Sequence, residues 1–203
     1  MQTVNIRSLV FTALFAALFI VLSLQQLKLT FTPVPITLQT LAVILAGVFL
    51  RPKQAFASIL IVIVLAAFGL PLFGGKGGIS HLIGYTGGFI MAFPFCALLI
   101  SLSVKALYKN DIMRNKPLAA ILLFIIFELF SSLLSYVPGV PWMMHVLEWP
   151  LDKALKEGFY PFLLGDAIKS AVGVIITLSL ASYVQHIRTS TIKKKQKGIT
   201  FQG

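Results

Sequence analysis

The sequence predicts an all-α membrane protein with six transmembrane helices. Of its 203 residues, 58% are apolar and only 11% are charged, whereas an ordinary soluble domain has about 45–50% apolar and about 25% charged residues. The mean hydropathy is +0.93, which leaves no room for a sizeable soluble domain beside the spans. We therefore expect residues 1–203 to form one transmembrane domain.

Six apolar runs separated by polar or glycine-rich segments supply the six predicted helices. They cover residues 8–27, 36–50, 54–69, 82–108, 117–137 and 160–186. The second run would span only about 22 Å as a helix, less than the ~30 Å hydrocarbon core. The third run is also short, and Pro33 and Pro35 keep the segment before the second run extended. Because short or irregular segments are tolerated where they line a cavity, we expect a ligand cavity near the outer side.

The basic residues predict the orientation of the chain. Twelve of the 17 lysines and arginines lie at span ends that face one side, and four lie at the opposite ends. By the positive-inside rule, the chain is a multi-pass membrane protein with both termini cytoplasmic. Residues 188–203 form a basic cytoplasmic tail that suits contact with anionic membrane lipid. Because the basic residues cluster at the span ends on one side, we interpret the net charge of +11 as a sign of membrane orientation and not of nucleic-acid binding.

Two ionisable residues lie within the last apolar run. Asp166, Lys169 and Gly173 have helical spacing and share one face. An ionisable side chain at membrane depth costs about 2.5–3.5 kcal/mol on insertion scales, so such residues face a cavity or each other. The pair is therefore either a binding element or a structural ion pair that neutralises itself.

The first run carries a small-x-x-x-small pattern, Ala13 and Ala17. Small residues at this spacing allow another helix to approach closely in lipid. Taken alone, the pattern fits packing within the same chain or contact with a second protein.

The segment from Gly69 to Gly88 contains eight glycines, and two glycine pairs flank Lys76. Glycine permits positive φ and close approach of the backbone to a ligand. The segment lacks the G-x-x-x-x-G-K-[ST] pattern of a phosphate-binding loop. Any nucleotide that energises this chain would therefore be hydrolysed by another subunit.

Four segments together resemble the BioY family, the biotin-binding S components of energy-coupling factor (ECF) vitamin transporters. They are VPITLQTLAVILAG (34–47), GLPLFGGKGG with GYTGGF (69–78 and 84–89), GVPWM (139–143) and PFLLGDAIK (161–169). The resemblance covers about residues 7–187, which we expect to be the core of the domain. It implies a six-helix S-component fold in a bacterial cell membrane that holds biotin near the extracytoplasmic side. It also implies partnership with a transmembrane T component and two ATP-binding cassette ATPases, and it offers Ala13 and Ala17 as the T-component contact.

The resemblance suggests how the polar residues would hold biotin, which has a neutral ureido ring and a carboxylate tail. Asp166 only accepts hydrogen bonds and suits the ureido N–H groups, whereas Lys169 only donates and suits an oxygen. Thr37 and Gln39 can add further hydrogen bonds.

The carboxylate tail and the apolar part of biotin would need other partners. Lys76, with the backbone amides of Gly77 and Gly78, is a candidate anion site for the carboxylate; alternatively, Lys76 is simply solvated. Phe31, Tyr85 and Trp142 are expected to enclose the apolar part, with Trp142 in a loop over residues 138–150, although interfacial aromatic residues are often headgroup anchors.

Several alternatives stay open at the level of sequence. An S component for another vitamin, such as thiamine or riboflavin, is the nearest one. A small intramembrane enzyme using Asp166 and Lys169 as an acid/base pair would also need a nucleophile or cofactor motif, and the sequence offers none. His81, His145 and His186 lack metal-ligand spacing, so we expect neither metal nor cofactor. Glu128 would face the cavity, bond a neighbouring helix through Ser131 or Ser132, or be protonated. Self-association of the isolated chain is left open.

Overall fold

The computed structural model describes residues 6–188, which form a helical bundle. The helices are α1 (Ile6–Leu24), α2 (Gln39–Phe49), α3 (Pro52–Ala67), α4 (Ile79–Leu82), α5 (Gly87–Lys109), α6 (Lys116–Phe127), α7 (Leu134–Leu147), α8 (Leu151–Gly158) and α9 (Tyr160–Ser179). A 3₁₀ turn (Ile112–Arg114) precedes α6, a π-helical segment (Glu128–Leu133) joins α6 to α7, and residues 181–188 are helical. The predicted basic tail lies outside the described residues, apart from Arg188.

The helices match the all-α fold class that the sequence predicts. Among residues 6–188, four helical stretches are long and apolar enough to cross a membrane, namely 6–24, 87–109, 116–147 and 151–179. Two shorter apolar helices, α2 with 11 residues and α3 with 16, occupy the second and third predicted spans. Six membrane-crossing elements are thus plausible, two of them shorter than a full span.

The connection between α1 and α2 contains two short strands, β1 (Gln26–Leu27) and β2 (Ile36–Thr37). They pair antiparallel, with Gln26 opposite Thr37 and Leu27 opposite Ile36. The extended backbone expected at Pro33 and Pro35 therefore belongs to the loop of a small hairpin, which lies at the start of α2.

The predicted loop over residues 138–150 is wrong, because the helix continues to Leu147. Pro138 and Pro141 lie inside α7 and supply no amide proton to it. Packing against α5 compensates: a Cβ on Gly139 would meet the Phe89 ring at 2.4 Å, and one on Gly88 would meet the Pro138 carbonyl at 2.5 Å. This close contact explains why a proline-containing segment remains helical here.

Helix α2 passes through the centre of the bundle, where it packs against α1, α5 and α9. Ile44 of α2 is fully buried, as are Ile100 of α5 and Phe127 of α6. Gly47 and Gly173 let the neighbouring helices approach α2: a Cβ on Gly47 would lie 2.5 Å from Ile100, and one on Gly173 would lie 2.8 Å from Ile44. The middle of α2 is thereby packed closely against α9 at Ile44.

Candidate functional site

A cavity of about 440 Å³ lies at the N-terminal ends of α2 and α5. Its wall includes the β1–β2 loop, the glycine-rich segment and residues of α7 and α9. This volume lies within the range of about 300–1,000 Å³ typical of small-molecule pockets. We call this cavity the chamber.

Asp166 and Lys169 lie on the chamber wall and form an ion pair. Lys169 Nζ is 2.8 Å from Asp166 Oδ1, and the two residues are 8% and 3% exposed, respectively. Both come from α9, one turn apart. Neither side chain faces lipid, and the contact between them leaves the chamber open beside the pair.

Two neighbouring helices hold the ion pair in place. The Thr40 hydroxyl of α2 accepts from Lys169 Nζ at 3.1 Å and donates to Asp166 Oδ1 at 3.3 Å. The Tyr136 hydroxyl of α7 donates to Asp166 Oδ2 at 2.6 Å. Three helices thus converge on one carboxylate, which fixes its orientation toward the chamber.

The ion pair has hydrogen-bonding capacity left over. A carboxylate has about four acceptor positions and an ammonium has three donors. The described residues use three of the acceptor positions of Asp166 and two of the donors of Lys169. One acceptor position, on Asp166 Oδ2, and one donor of Lys169 therefore stay available to a molecule in the chamber.

Thr37 and Gln39 also lie on the wall. Thr37 Oγ1 accepts the Gln39 backbone N–H at 3.3 Å, at the point where α2 begins. The Gln39 side-chain amide has no hydrogen-bond partner among residues 6–188. It is therefore a second polar group that a ligand can engage without displacing a protein contact.

The aromatic part of the wall differs from the sequence expectation. Tyr85 lies on the wall, and its hydroxyl donates to the Pro33 carbonyl at 3.0 Å. Phe89, Phe93 and Phe162 supply further apolar surface. Phe31, by contrast, is 59% exposed and is not among the wall residues.

Trp142 lies behind the chamber and not on its wall. Its Nε1 donates to the Gly84 carbonyl at 2.9 Å, and its Cβ lies 2.6 Å from the position that a Gly88 Cβ would take. Trp142 thus holds the end of the glycine-rich segment against α7, and it does so from the helix that replaces the predicted loop.

Within the glycine-rich segment, only Lys76 of the predicted anion site reaches the chamber wall. The Gly78 amide donates to Ala66 at 2.7 Å, and Gly78 has a φ of +86°. A Cβ on Gly77 would lie 2.0 Å from the Leu70 carbonyl oxygen. Neither glycine is on the wall, and the Gly78 amide is already used, so both glycines shape the loop that carries Lys76.

His81 is a chamber residue that the sequence did not single out for binding. It lies on the wall with Lys76, and its ring centroid is 6.0 Å from that of Phe73. Burial, together with the positive charge of Lys76, lowers the pKa of His81 below its ordinary value.

Glu128 contacts α9 but does not lie on the chamber wall. Its Oε2 accepts from the Ser170 hydroxyl at 2.8 Å, while the neighbouring Ser131 and Ser132 hydroxyls contact each other at 3.2 Å. Glu128 thus bonds to a neighbouring helix, but its partner is Ser170 of α9 and not Ser131 or Ser132, the residues proposed from the sequence.

Sequence reasoning missed Thr40 and Tyr136 as partners of the ion pair. Thr40 directly follows Gln39 in the same motif, in the first turn of α2, so the motif itself could have pointed to it. Tyr136 falls at the end of a predicted span, where a tyrosine is usually a headgroup anchor, and no local pattern relates it to Asp166.

The α1 pattern lies partly on the surface. Ala13 and Ala17 are exposed, whereas Ala16 between them is buried in the bundle. Leu14 and Val21 on the same helix are also exposed. The small-residue pair therefore lies on the surface of the described bundle, where a second helix can reach it.

Comparisons with known proteins agree with this architecture. A family model described as the BioY family matches residues 1–186. The "Probable biotin transporter BioY" of Bacillus subtilis (strain 168) is 39% identical over 83% of this chain and 87% of its own length. "Biotin transporter BioY2" of Lactococcus lactis subsp. cremoris (strain MG1363) is 35% identical over 92% and 96%. A crystal structure of the S-component for biotin from an ECF-type ABC transporter superposes with a TM-score of 0.78 at 30% identity, covering 90% of this chain and 94% of that one.

Proposed function

The chain belongs to the BioY family, and from this premise we propose that it is the biotin-binding subunit of an ECF-type transporter, with the chamber as its binding site. It is a membrane transport subunit and not an enzyme, as its family and fold indicate. The observation that carries the proposal is the spare acceptor of Asp166 together with the spare donor of Lys169.

The ureido ring of biotin is complementary to that pair. It presents N–H donors and a carbonyl acceptor close together, and burial requires a partner for each because an unsatisfied polar group costs about 1–3 kcal/mol. Asp166 accepts from a ureido N–H and Lys169 donates to the ureido oxygen. Both bonds are charge-assisted and hence about twice as strong as neutral ones, while Thr37 and Gln39 add adaptable partners nearby.

The remainder of biotin lies against aromatic side chains of the chamber wall, with its carboxylate at Lys76. Tyr85, Phe89 and Phe162 enclose the sulfur ring and the aliphatic chain. Lys76 binds the carboxylate through its ammonium group, without the amides of Gly77 and Gly78. Lys76 is on the wall and has no ionic partner among residues 6–188, which supports this assignment.

The energising partners bind outside the chamber. We infer that a T component packs on α1 at Ala13 and Ala17, because these two alanines leave a shallow exposed surface for a second helix. Two ABC ATPases supply the energy, since the chain carries no nucleotide-binding motif of its own. The chamber faces the extracytoplasmic side and both termini are cytoplasmic, in keeping with the distribution of basic residues.

A ligand-binding screen on the detergent-purified chain tests the proposal. Biotin, thiamine and riboflavin are titrated separately, and bound ligand is recovered and weighed by mass spectrometry. We expect biotin alone to bind and to be recovered unchanged. Binding of thiamine or riboflavin in its place would show a different vitamin specificity, and a chemically altered ligand would contradict the assignment as a transport subunit.

A further inference from the structure

A second small cavity lies at the opposite end of α2 from the chamber. It measures about 20 Å³, and three arginines contribute to its wall: Arg7 of α1, Arg51 before α3 and Arg188 of the terminal helical segment. We call it the arginine cleft. Helix α2 is 11 residues long, so the cleft lies about 16 Å along the bundle from the start of that helix.

No acidic side chain is among the residues of the described range 6–188 that line the arginine cleft. The chain has only six acidic residues, and all six lie within residues 6–188. The one ion pair between side chains in that range is Asp166–Lys169. The positive charge of Arg51 and Arg188 is therefore not balanced by an acidic side chain of this protein.

Arg188 has a partial explanation as a helix clamp. Its Nη2 donates to Leu50 at 2.8 Å and to the Ser101 carbonyl at 3.0 Å, with a longer contact to Gly47 at 3.3 Å. These carbonyls lie at and near the C-terminal end of α2, where a cation is favoured by the helix dipole. The clamp accounts for one nitrogen only.

A second nitrogen of the Arg188 guanidinium group, Nη1, has no acceptor among the described residues. Arg188 Nη1 is buried and has no hydrogen-bond partner in the described part of the chain. Arg51 Nη2 donates only to the Arg188 carbonyl, at 3.3 Å. The buried Nη1 is out of reach of an external ligand, but Arg51 is only partly buried and its other guanidinium N–H groups have no partner among residues 6–188. An external anion can therefore bind to Arg51 at the mouth of the cleft.

The surroundings of the cleft favour an anion that carries apolar chains. Phe11 and Phe49 form part of its wall. On α1, Leu9 and Val10 are more than half exposed and extend from the cleft along the bundle surface. The N-terminus of α3, with Pro52 as its first residue, adds a positive partial charge at the same place.

We propose that the arginine cleft binds the phosphate group of an anionic phospholipid, whose acyl chains lie against Leu9 and Val10 of α1, N-terminal to the proposed T-component contact at Ala13 and Ala17. Guanidinium groups suit this ligand because they match phosphate oxygens in a bidentate manner. The site is separate from the chamber and needs no ligand in it.

Native mass spectrometry of the full-length protein in detergent tests this proposal. Phosphatidylglycerol, phosphatidylcholine and inorganic phosphate are each titrated against the wild type, Arg51→Gln and Lys109→Gln. Lys109 is an exposed cation at the same end of the bundle and outside the cleft, so its variant controls for the loss of one charge. Biotin titration checks that each variant is folded.

We expect phosphatidylglycerol to bind Arg51→Gln at least about tenfold more weakly than the wild type, a change of ~1.4 kcal/mol. Lys109→Gln should bind it as the wild type does, and phosphatidylcholine and inorganic phosphate should bind weakly to all three proteins. If Arg51→Gln fails to bind biotin, Arg7→Gln replaces it, because Arg7 is on the cleft wall and exposed.

Four results would overturn the proposal. If Arg51→Gln and Lys109→Gln lose phosphatidylglycerol affinity equally, the lipid responds to net charge alone. If neither variant loses affinity, the lipid does not bind at the arginine cleft. Inorganic phosphate that competes at concentrations equal to the lipid would show a free-anion site. Co-purification with co-expressed transporter subunits is measured for the same variants. If Arg51→Gln loses this association while its lipid binding is unchanged, the cleft is a contact for an acidic protein surface.

Discussion

Tyr136 of α7 donates a 2.6 Å hydrogen bond to Asp166 of α9, thirty residues further along the chain. The bond reaches the carboxylate oxygen that Lys169 does not contact, so the two partners hold opposite sides of the carboxylate. The position of α7 is thereby linked to the orientation of the proposed ligand-binding group.

Replacing Tyr136 by Phe should weaken biotin binding roughly fivefold, because a net hydrogen bond contributes about 1 kcal/mol. The ring contacts with Phe89 and Phe159 stay available to phenylalanine, so the fold should be preserved. Titration calorimetry measures the effect, with Tyr160→Phe as the control because Tyr160 is 58% exposed. Equal affinities of both variants would show that the Tyr136 hydroxyl does not support binding.

The sequence predicted the shared face of Asp166 and Lys169 because helical spacing is a local property. It could not predict Tyr136, since the contact joins two helices and depends on how α7 packs. The same limit explains the error over residues 138–150. Pro138 and Pro141 indicate a loop when read locally, and only the close approach of Gly139 to Phe89 shows why the helix continues.

The sequence also could not predict which residues of the loops reach the chamber wall. Lys76 reaches the chamber wall, whereas Gly77 and Gly78 turn their backbone toward Leu70 and Ala66. A glycine pair signals backbone freedom but not the direction of its amides. Phe31 and Trp142 were placed near the outer side by their position between spans, and that position does not determine which aromatic rings line the chamber.

Gly173→Ala should destabilise the protein, because the added Cβ would lie 2.8 Å from Ile44 and 3.2 Å from Phe127. Overpacking of a buried contact costs about 1–3 kcal/mol, so we expect a lower melting temperature in detergent. Gly165→Ala on the same helix is the matched control, since its Cβ would meet nothing within 4 Å. A melting temperature of Gly173→Ala equal to or above that of the control would refute this close α2–α9 packing.

His81 should make stability depend on pH. Burial and Lys76 lower the pKa of His81 in the folded protein below its ordinary value of 6.5, so the unfolded chain binds the proton first as pH falls. The contribution of neutral His81 to the free energy of unfolding is fully present above about pH 6.5. It is lost as the pH falls toward the pKa of His81 in the folded protein.

Melting temperatures of His81→Gln and the wild type between pH 7.5 and pH 5 check this expectation. The variant should lose less stability than the wild type over that interval. His145→Gln, at an exposed position, should follow the wild type. If His81→Gln keeps the full pH dependence, another group is responsible for it.

Ala13→Leu should leave biotin binding unchanged and block coupled uptake, because a larger side chain keeps a second helix away from α1. Radiolabelled biotin uptake into cells that co-express the energising subunits measures the effect. Ala106→Leu makes the same change at an exposed position of α5 and should transport normally. Normal uptake by Ala13→Leu would show that the T component does not contact α1 at Ala13.

The most direct test of the chamber as a biotin site is a calorimetric titration of Asp166→Asn, with Glu128→Gln as the matched control. Both changes replace a carboxylate with an amide of the same shape, but only Asp166 lies on the chamber wall. We predict that Asp166→Asn loses at least ~1.4 kcal/mol, or tenfold, in biotin affinity, while Glu128→Gln stays close to the wild type. Wild-type affinity of Asp166→Asn would contradict the account.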